Sequence, residues 1–349
     1  MSGVRLQLSF FPSLTPPVRM SSRFPRALRP RLAVLPLIAL VACTAFESQV
    51  DEFPDAGPNG PDSSYAGVGQ GIPFGEFGLT LEQFRPPYTG AVVLVSRSSV
   101  ASELRAAQDQ KLRLVLNLAG GKKLYTNPDG TFNLERWKAR IDTYRDVDFS
   151  AYVTEGLVLA HFLLDEPGAA RTWGGHPVSR AEIEEMARYS ESIWPTLPTA
   201  VRATAEWLGR GDTTYASLDV AWGQWAGPRR GGSTGLTPEQ FRDENVAWAK
   251  QLELGLIFGM NYLNGGDGSS GIPGTELHPE LWQMSAAELA HVGTVLAGAP
   301  YACALLSWRH HAPFESRADI RAALDSVARV AAVRGGTLCT RRAPVSLIR

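Results

Sequence analysis

The apolar run from Leu157 to Leu164 ends in Asp165-Glu166-Pro167. Proline carries no N–H and cannot extend a strand ladder, so this run delivers two adjacent carboxylates to its own end. Close carboxylates repel, and one member of such a pair can keep a proton near neutral pH and act as a general acid toward a leaving oxygen. A second apolar segment, Ala200 to Trp207, carries Arg202, Thr204 and Glu206 at one parity. Three polar side chains on one face of a buried strand cannot face an apolar layer cheaply, so they are expected to converge on an opening. Ser217 and Asp219 repeat that pattern in the next segment. Glu206, Asp219, Glu76 and Glu276 are the candidates for a carboxylate partner of Glu166, with Glu206 the first choice. Asn117, Asn261, Trp207, Trp222, Trp225, Tyr262 and Trp308 fall at or near the ends of further apolar runs. Flat rings with polar edges suit the faces of sugar rings.

Such side chains converge only if their segments run side by side. From residue 71 onward, short apolar runs alternate with helical patterns. The expected strands are Pro73–Leu79, Gly90–Ser96, Leu112–Ala119, Leu157–Leu164, Ala200–Trp207, Tyr215–Gly223, Leu254–Tyr262 and Ala302–Trp308. Most read as near-continuous Val, Leu and Ile, the signature of strands buried on both faces of a parallel sheet. Helical spacing appears in Ser98–Gln110, Leu134–Val147, Ser179–Trp194, Thr237–Leu252, Ser285–Leu296 and Ser316–Val333. Two of these open with a cap signal, Ser179 with Glu182 three residues on, and Thr237-Pro-Glu-Gln. Eight strand–helix alternations in about 270 residues imply an α/β fold of the (β/α)8 TIM-barrel type, with its site at the strand C-termini. A doubly wound open sheet is the runner-up. It lacks the Gly-rich loop that a dinucleotide site would place after the first strand.

Residues 71–340 resemble the barrel glycoside hydrolases. In the large retaining clan of that group the fourth strand ends in Asn-Glu-Pro, the Glu being the acid/base; here Asp165-Glu166-Pro167 stands there, and the resemblance gives that role to Glu166. Other glycosidases use an adjacent Asp-Glu pair, whose Asp orients a substrate acetamido group, and Asp165-Glu166 fits that pattern too. The retaining clan places its nucleophile at the end of the seventh strand, where this chain has Asn261-Tyr262 and no carboxylate. The expected activity is therefore hydrolysis of O-glycosidic bonds in a poly- or oligosaccharide, with Glu166 as acid/base and Glu206 or Asp219 as its partner. Binding a carbohydrate without cleaving it is the alternative. A third reading is another barrel hydrolase or lyase, which an ordered metal at His161 and Asp165 would favour.

The N-terminal segment points to export. Arg23 to Arg31 form a basic flank, Leu32 to Ala42 an apolar stretch too short to span a bilayer, and Leu40-Val41-Ala42-Cys43 closes it. This run resembles the lipobox of bacterial lipoproteins, which implies a signal peptide over 1–42, lipid attachment at Cys43 and anchoring to the cell envelope, at the outer membrane in a Gram-negative host. Met20 is an alternative start. Residues 43–70, rich in Pro, Gly, Asp and Ser, read as a flexible tether, and 341–349 as a tail. An oxidising compartment makes a disulfide between Cys303 and Cys339 expected. Residues 1–42 hold six Arg and no Lys, Asp or Glu, so beyond them the 34 basic residues fall to 28 against 35 acidic. That balance argues against nucleic acid as a partner. No cofactor and no metal are expected, since His310-His311 are adjacent and His161 stands alone. The expected assembly is a monomer.

Overall fold

The computed structural model describes residues 71–227, 235–334 and 338–341. The segments expected to be signal peptide and tether, Cys43 among them, and nearly all of the expected 341–349 tail lie outside the described residues. Eight parallel strands close into a barrel in sequence order: β1 (Phe74–Phe77), β2 (Gly90–Leu94), β3 (Arg113–Asn117), β4 (Val158–Asp165), β5 (Thr199–Arg202), β6 (Val220–Trp225), β7 (Gly255–Met260) and β8 (Ala302–Ser307). Closure runs through β1 and β8, with Gly75 opposite Leu306. The fold is a (β/α)8 barrel, as the alternation of apolar runs implies.

Around it lie α1 (Val100–Asp109), α2 (Leu134–Asp142), α3 (Ser150–Thr154), α4 (Arg180–Ile193), α5 (Ala205–Gly209), α6 (Pro238–Gln251), α7 (Ala286–Ala297), α8 (Ala312–Glu315) and α9 (Ala318–Val333). Both cap signals form. Ser179 and Glu182 make a reciprocal capping box at α4, and Thr237 with Gln240 does the same at α6, with Pro238 in the first turn where its missing N–H costs nothing. Alternation along the strands separates two apolar layers. Val92, Val115, Phe162, Val220, Trp222, Ile257 and Leu306 fill the barrel interior, while Leu114, Leu116, Leu163, Leu256 and Phe258 face the helices.

Two strands have limits that move a candidate carboxylate. Strand β5 stops at Arg202, because Thr204 accepts a hydrogen bond from Trp207 N and caps α5. Glu206 and Trp207 thereby join a helix. Strand β6 starts only at Val220, so Asp219 precedes it.

Residues 71–72 and 339–340 pack at the floor of the barrel. Cys303 and Cys339 form a disulfide with a 2.01 Å S–S bond, and Thr340 donates to Asp219 at 3.1 Å. Ile72 N donates to Ala331 O at 2.9 Å. The preceding Gly71 has φ +75°, and a Cβ there would lie 2.5 Å from Ala331 O. Only glycine fits that approach.

Candidate functional site

The C-terminal ends of the strands surround an open cleft of about 720 Å³. Asp165 and Glu166 arrive from β4, Arg202 from β5, Asn261 from the end of β7, and Trp308 from the end of β8; Glu276 comes from the loop after β7.

Arg202 organises these groups. Its side chain is 5% exposed; Nε donates to Asp165 Oδ1, and Nη2 lies 3.3 Å from Glu166 Oε1. Nη1 donates to Gln224 on β6, and the guanidinium stacks over the Trp308 ring at 4.7 Å from its centroid. A cation between Asp165 and Glu166 offsets the repulsion between them, so the repulsion that the bare sequence suggests is not left uncompensated. Glu166 is the most open of the group, its side chain 49% exposed. Its backbone is in the left-handed region at φ 44°. Residues with a Cβ rarely adopt it, at a cost of about 1–3 kcal/mol. The conformation is held from both sides, since Glu166 N donates to Arg202 O at 3.1 Å and Trp173 Nε1 donates to Glu166 O at 3.0 Å. Pro167 and Gly168 complete the turn, and Gly168 packs so tightly on Trp207 that a Cβ would fall 2.7 Å from its Nε1.

Several residues that the sequence nominates lie elsewhere. Glu206 sits in the first turn of α5 and pairs with Arg210 at 2.5 Å, outside the cleft lining. The helix cap at Thr204 puts it there. Asp219 is completely buried at the opposite end of the barrel, where Oδ2 accepts from Thr199 N at 2.9 Å. Its place before β6 makes it a floor residue, not a mouth residue. Trp222 is core, edge-on to Phe162 in the barrel interior. Trp225 packs outward on Phe241 of α6, and Trp207 lies beneath the Arg180 guanidinium at 4.1 Å. Asn117 caps its own turn by accepting from Gly120 N at 3.0 Å. Of the five aromatic residues expected to meet a sugar, Trp308 alone lines the cleft. His161 points into the helix layer, stacked on Trp137 and bonded to Ser190 at 2.9 Å. Burial pushes its imidazole down to about 3, so it is neutral there.

Beside the cleft lies a buried acidic cluster that the sequence discloses only in part. Glu76, 1% exposed on β1, accepts from the Tyr88 hydroxyl at 2.6 Å. The same hydroxyl is 3.0 Å from Glu315 of α8. His310 Nδ1 stands 3.2 Å from Glu76 Oε2 and 2.8 Å from Glu315 Oε1. Burial, then the neighbouring Glu76, pushes the Glu315 carboxyl up to about 7. The Glu76 hydrogen bond raises the His310 imidazole above its usual range, and burial followed by the Glu76 charge raises the Tyr262 hydroxyl well above its own. Tyr262 therefore belongs to this cluster and not to the cleft wall. Glu76, Glu315 and His310 bring ligand-type atoms within 4.8 Å of one another. Tyr88 in a Pro-rich loop and Glu315 in a four-residue helix carry no periodic signal. The adjacency of His310 and His311 conceals that His310 alone turns inward.

No protein-family model and no curated protein matches the chain. Among solved structures the chain is similar to the GH10 xylanase of Thermobacillus composti, at 11% identity and a TM-score of 0.45 over 74% of this chain and 97% of that one. It is also similar to a β-glucanase from Saccharophagus degradans, at 10% identity and a TM-score of 0.49 over 74% of this chain and 88% of that one. A xylanase from Paenibacillus barcinonensis is similar at 10% identity and a TM-score of 0.43, over 77% and 90% of the two chains. The closed ring of strands, rather than this similarity, carries the fold assignment.

Proposed function

We propose that the protein is a glycosidase of the cell envelope, acting on a poly- or oligosaccharide in the cleft, with Glu166 as the proton donor. The observation that supports this reading is the grouping of Asp165, Glu166 and Glu276 with Arg202 and Trp308 around one open cavity at the strand ends. With Glu206 turned to Arg210 and Asp219 at the floor, Glu276 takes the place of partner carboxylate. In the proposed step the Glu166 carboxylic acid gives its proton to the glycosidic oxygen as the bond to the anomeric carbon breaks. Glu276 takes a proton from the water that attacks the anomeric carbon. The leaving sugar departs as an alcohol, the other product is a hemiacetal, and the proton on Glu276 returns to Glu166 through solvent. Asp165 and Arg202 hold Glu166 and are available to sugar hydroxyls, and the Trp308 ring offers an apolar face to a pyranose.

The test is a reducing-end assay of the full chain on a panel of soluble glycans. Glu166→Gln and Glu276→Gln should each lower turnover by about 100-fold or more, in line with loss of a general acid or base, with thermal unfolding unchanged. Full activity in Glu166→Gln would remove the assignment. A second reading, carbohydrate binding without cleavage, is favoured by Asn261 at the end of β7 where a carboxylate nucleophile could stand. It requires sugar affinity that Trp308→Ala abolishes and no turnover on any glycan. The same proposal places the protein on a membrane through a lipid on Cys43; labelled lipid should enter the wild type and not Cys43→Ala.

A further inference from the structure

We propose that Glu76, His310 and Glu315 bind a divalent transition-metal ion, with the Tyr262 hydroxyl as a fourth donor, at a site beside the cleft and separate from the groups assigned to bond cleavage. The three first-named side chains offer one imidazole nitrogen and two carboxylate oxygens within 4.8 Å of one another. Their spacings of 2.8 and 3.2 Å around His310 Nδ1 match the edges of a coordination polyhedron with metal–ligand bonds of about 2.1 Å.

The independent sign of a ligand is Tyr262. Its side chain is completely buried and faces Glu76, with which its hydroxyl makes no hydrogen bond of good geometry. A buried hydroxyl without a well-formed hydrogen bond has an oxygen lone pair that a bound cation would accept. Charge balance points the same way. Glu76 and Glu315 are 1% and 6% exposed, and among the described residues their ion-pair partner is His310, with no Lys or Arg against either. With both carboxylates ionised and the imidazole neutral, a divalent ion would balance the cluster, and buried charges are generally paired or metal-bound. The mixed nitrogen and oxygen set suits Zn²⁺ or Mn²⁺, whereas Ca²⁺ takes six to eight oxygens. Such an ion would join β1, the turn after β7, the end of β8 and α8, fixing the segment that carries Trp308.

The experiment uses the full chain, stripped with a chelator and dialysed, then titrated calorimetrically with ZnCl₂ and separately with MnCl₂. One ion per chain should bind and raise the unfolding temperature. Glu315→Gln and His310→Gln should each weaken binding at least 100-fold, and Tyr262→Phe about 10-fold. X-ray absorption at the metal edge should report a first shell of nitrogen and oxygen at about 2.0–2.2 Å, which tests the site in the wild type even if a variant fails to fold. Absence of saturable binding by both metals overturns the proposal. So does binding that Glu315→Gln leaves unchanged, which would put the ion on surface histidines.

Discussion

The Arg202 guanidinium lies 3.3 Å from the Glu166 carboxylate while stacking at 4.7 Å over the Trp308 ring. One side chain thus fixes an acid from β4 against an aromatic plane from β8, across the full width of the barrel mouth. Arg202→Met keeps the stem and removes the fork, leaving Asp165 and Glu166 to repel. Since those carboxylates are 38% and 49% exposed, water replaces part of the lost pairing, and the stability loss should be about 2 kcal/mol by urea unfolding. Turnover should fall by a larger factor than stability explains. Arg202→Lys should restore it only in part, because a point charge cannot span both carboxylates.

The displaced acids provide controls. Glu206→Gln weakens an i,i+4 pair at the surface between half-buried Glu206 and exposed Arg210 and should change stability by less than about 0.5 kcal/mol, with activity unaltered. Asp219→Asn weakens a buried acceptor of Thr199 N and should lower stability by about 1–3 kcal/mol without changing kcat. A loss of kcat in either variant with the fold intact would return that residue to the mechanism.

The Cys303–Cys339 bond closes a loop of 36 residues. Chain-entropy arguments assign such a closure about 4 kcal/mol. For a domain of this size reduction should lower the melting temperature by roughly 10 °C, and Cys303→Ala with Cys339→Ala should melt where the reduced wild type does. Calorimetry with and without reductant reads both.

Glu288, in the first turn of α7, accepts from Asp267 N at 3.0 Å through Oε1, while Oε2 is buried without a partner. Burial pushes its carboxyl up to about 7 from 4.5. The folded state therefore binds this proton more tightly than the unfolded one. Its contribution to stability is whole below pH 4.5 and lost as pH rises through about 7. The melting temperature of the wild type should decline over that window, and Glu288→Gln should flatten the decline. Parallel profiles for the two proteins would contradict this account.

The fold was legible in the sequence because strands buried on both faces must be apolar throughout, and eight such runs alternate with capped helices. The site was legible where a strand end carried its own stop, as at Asp165-Glu166-Pro167, or where parity isolated a polar residue, as at Arg202. It was misread where an apolar run crossed an element boundary. Capping by Thr204 moves Glu206 from a strand end into a helix, and a strand that starts at Val220 and not at Tyr215 leaves Asp219 at the floor. The cluster of Glu76, Tyr88, His310 and Glu315 joins residues up to 239 positions apart, a proximity that no local pattern encodes.

Gly71 is pressed against the last turn of α9, at the end of the barrel where the strands begin. Residue 71 therefore stands at the base of the barrel, and the cavity lined by Asp165, Glu166 and Trp308 opens on the far side. A label or linker joined at that residue would leave the cavity's mouth uncovered.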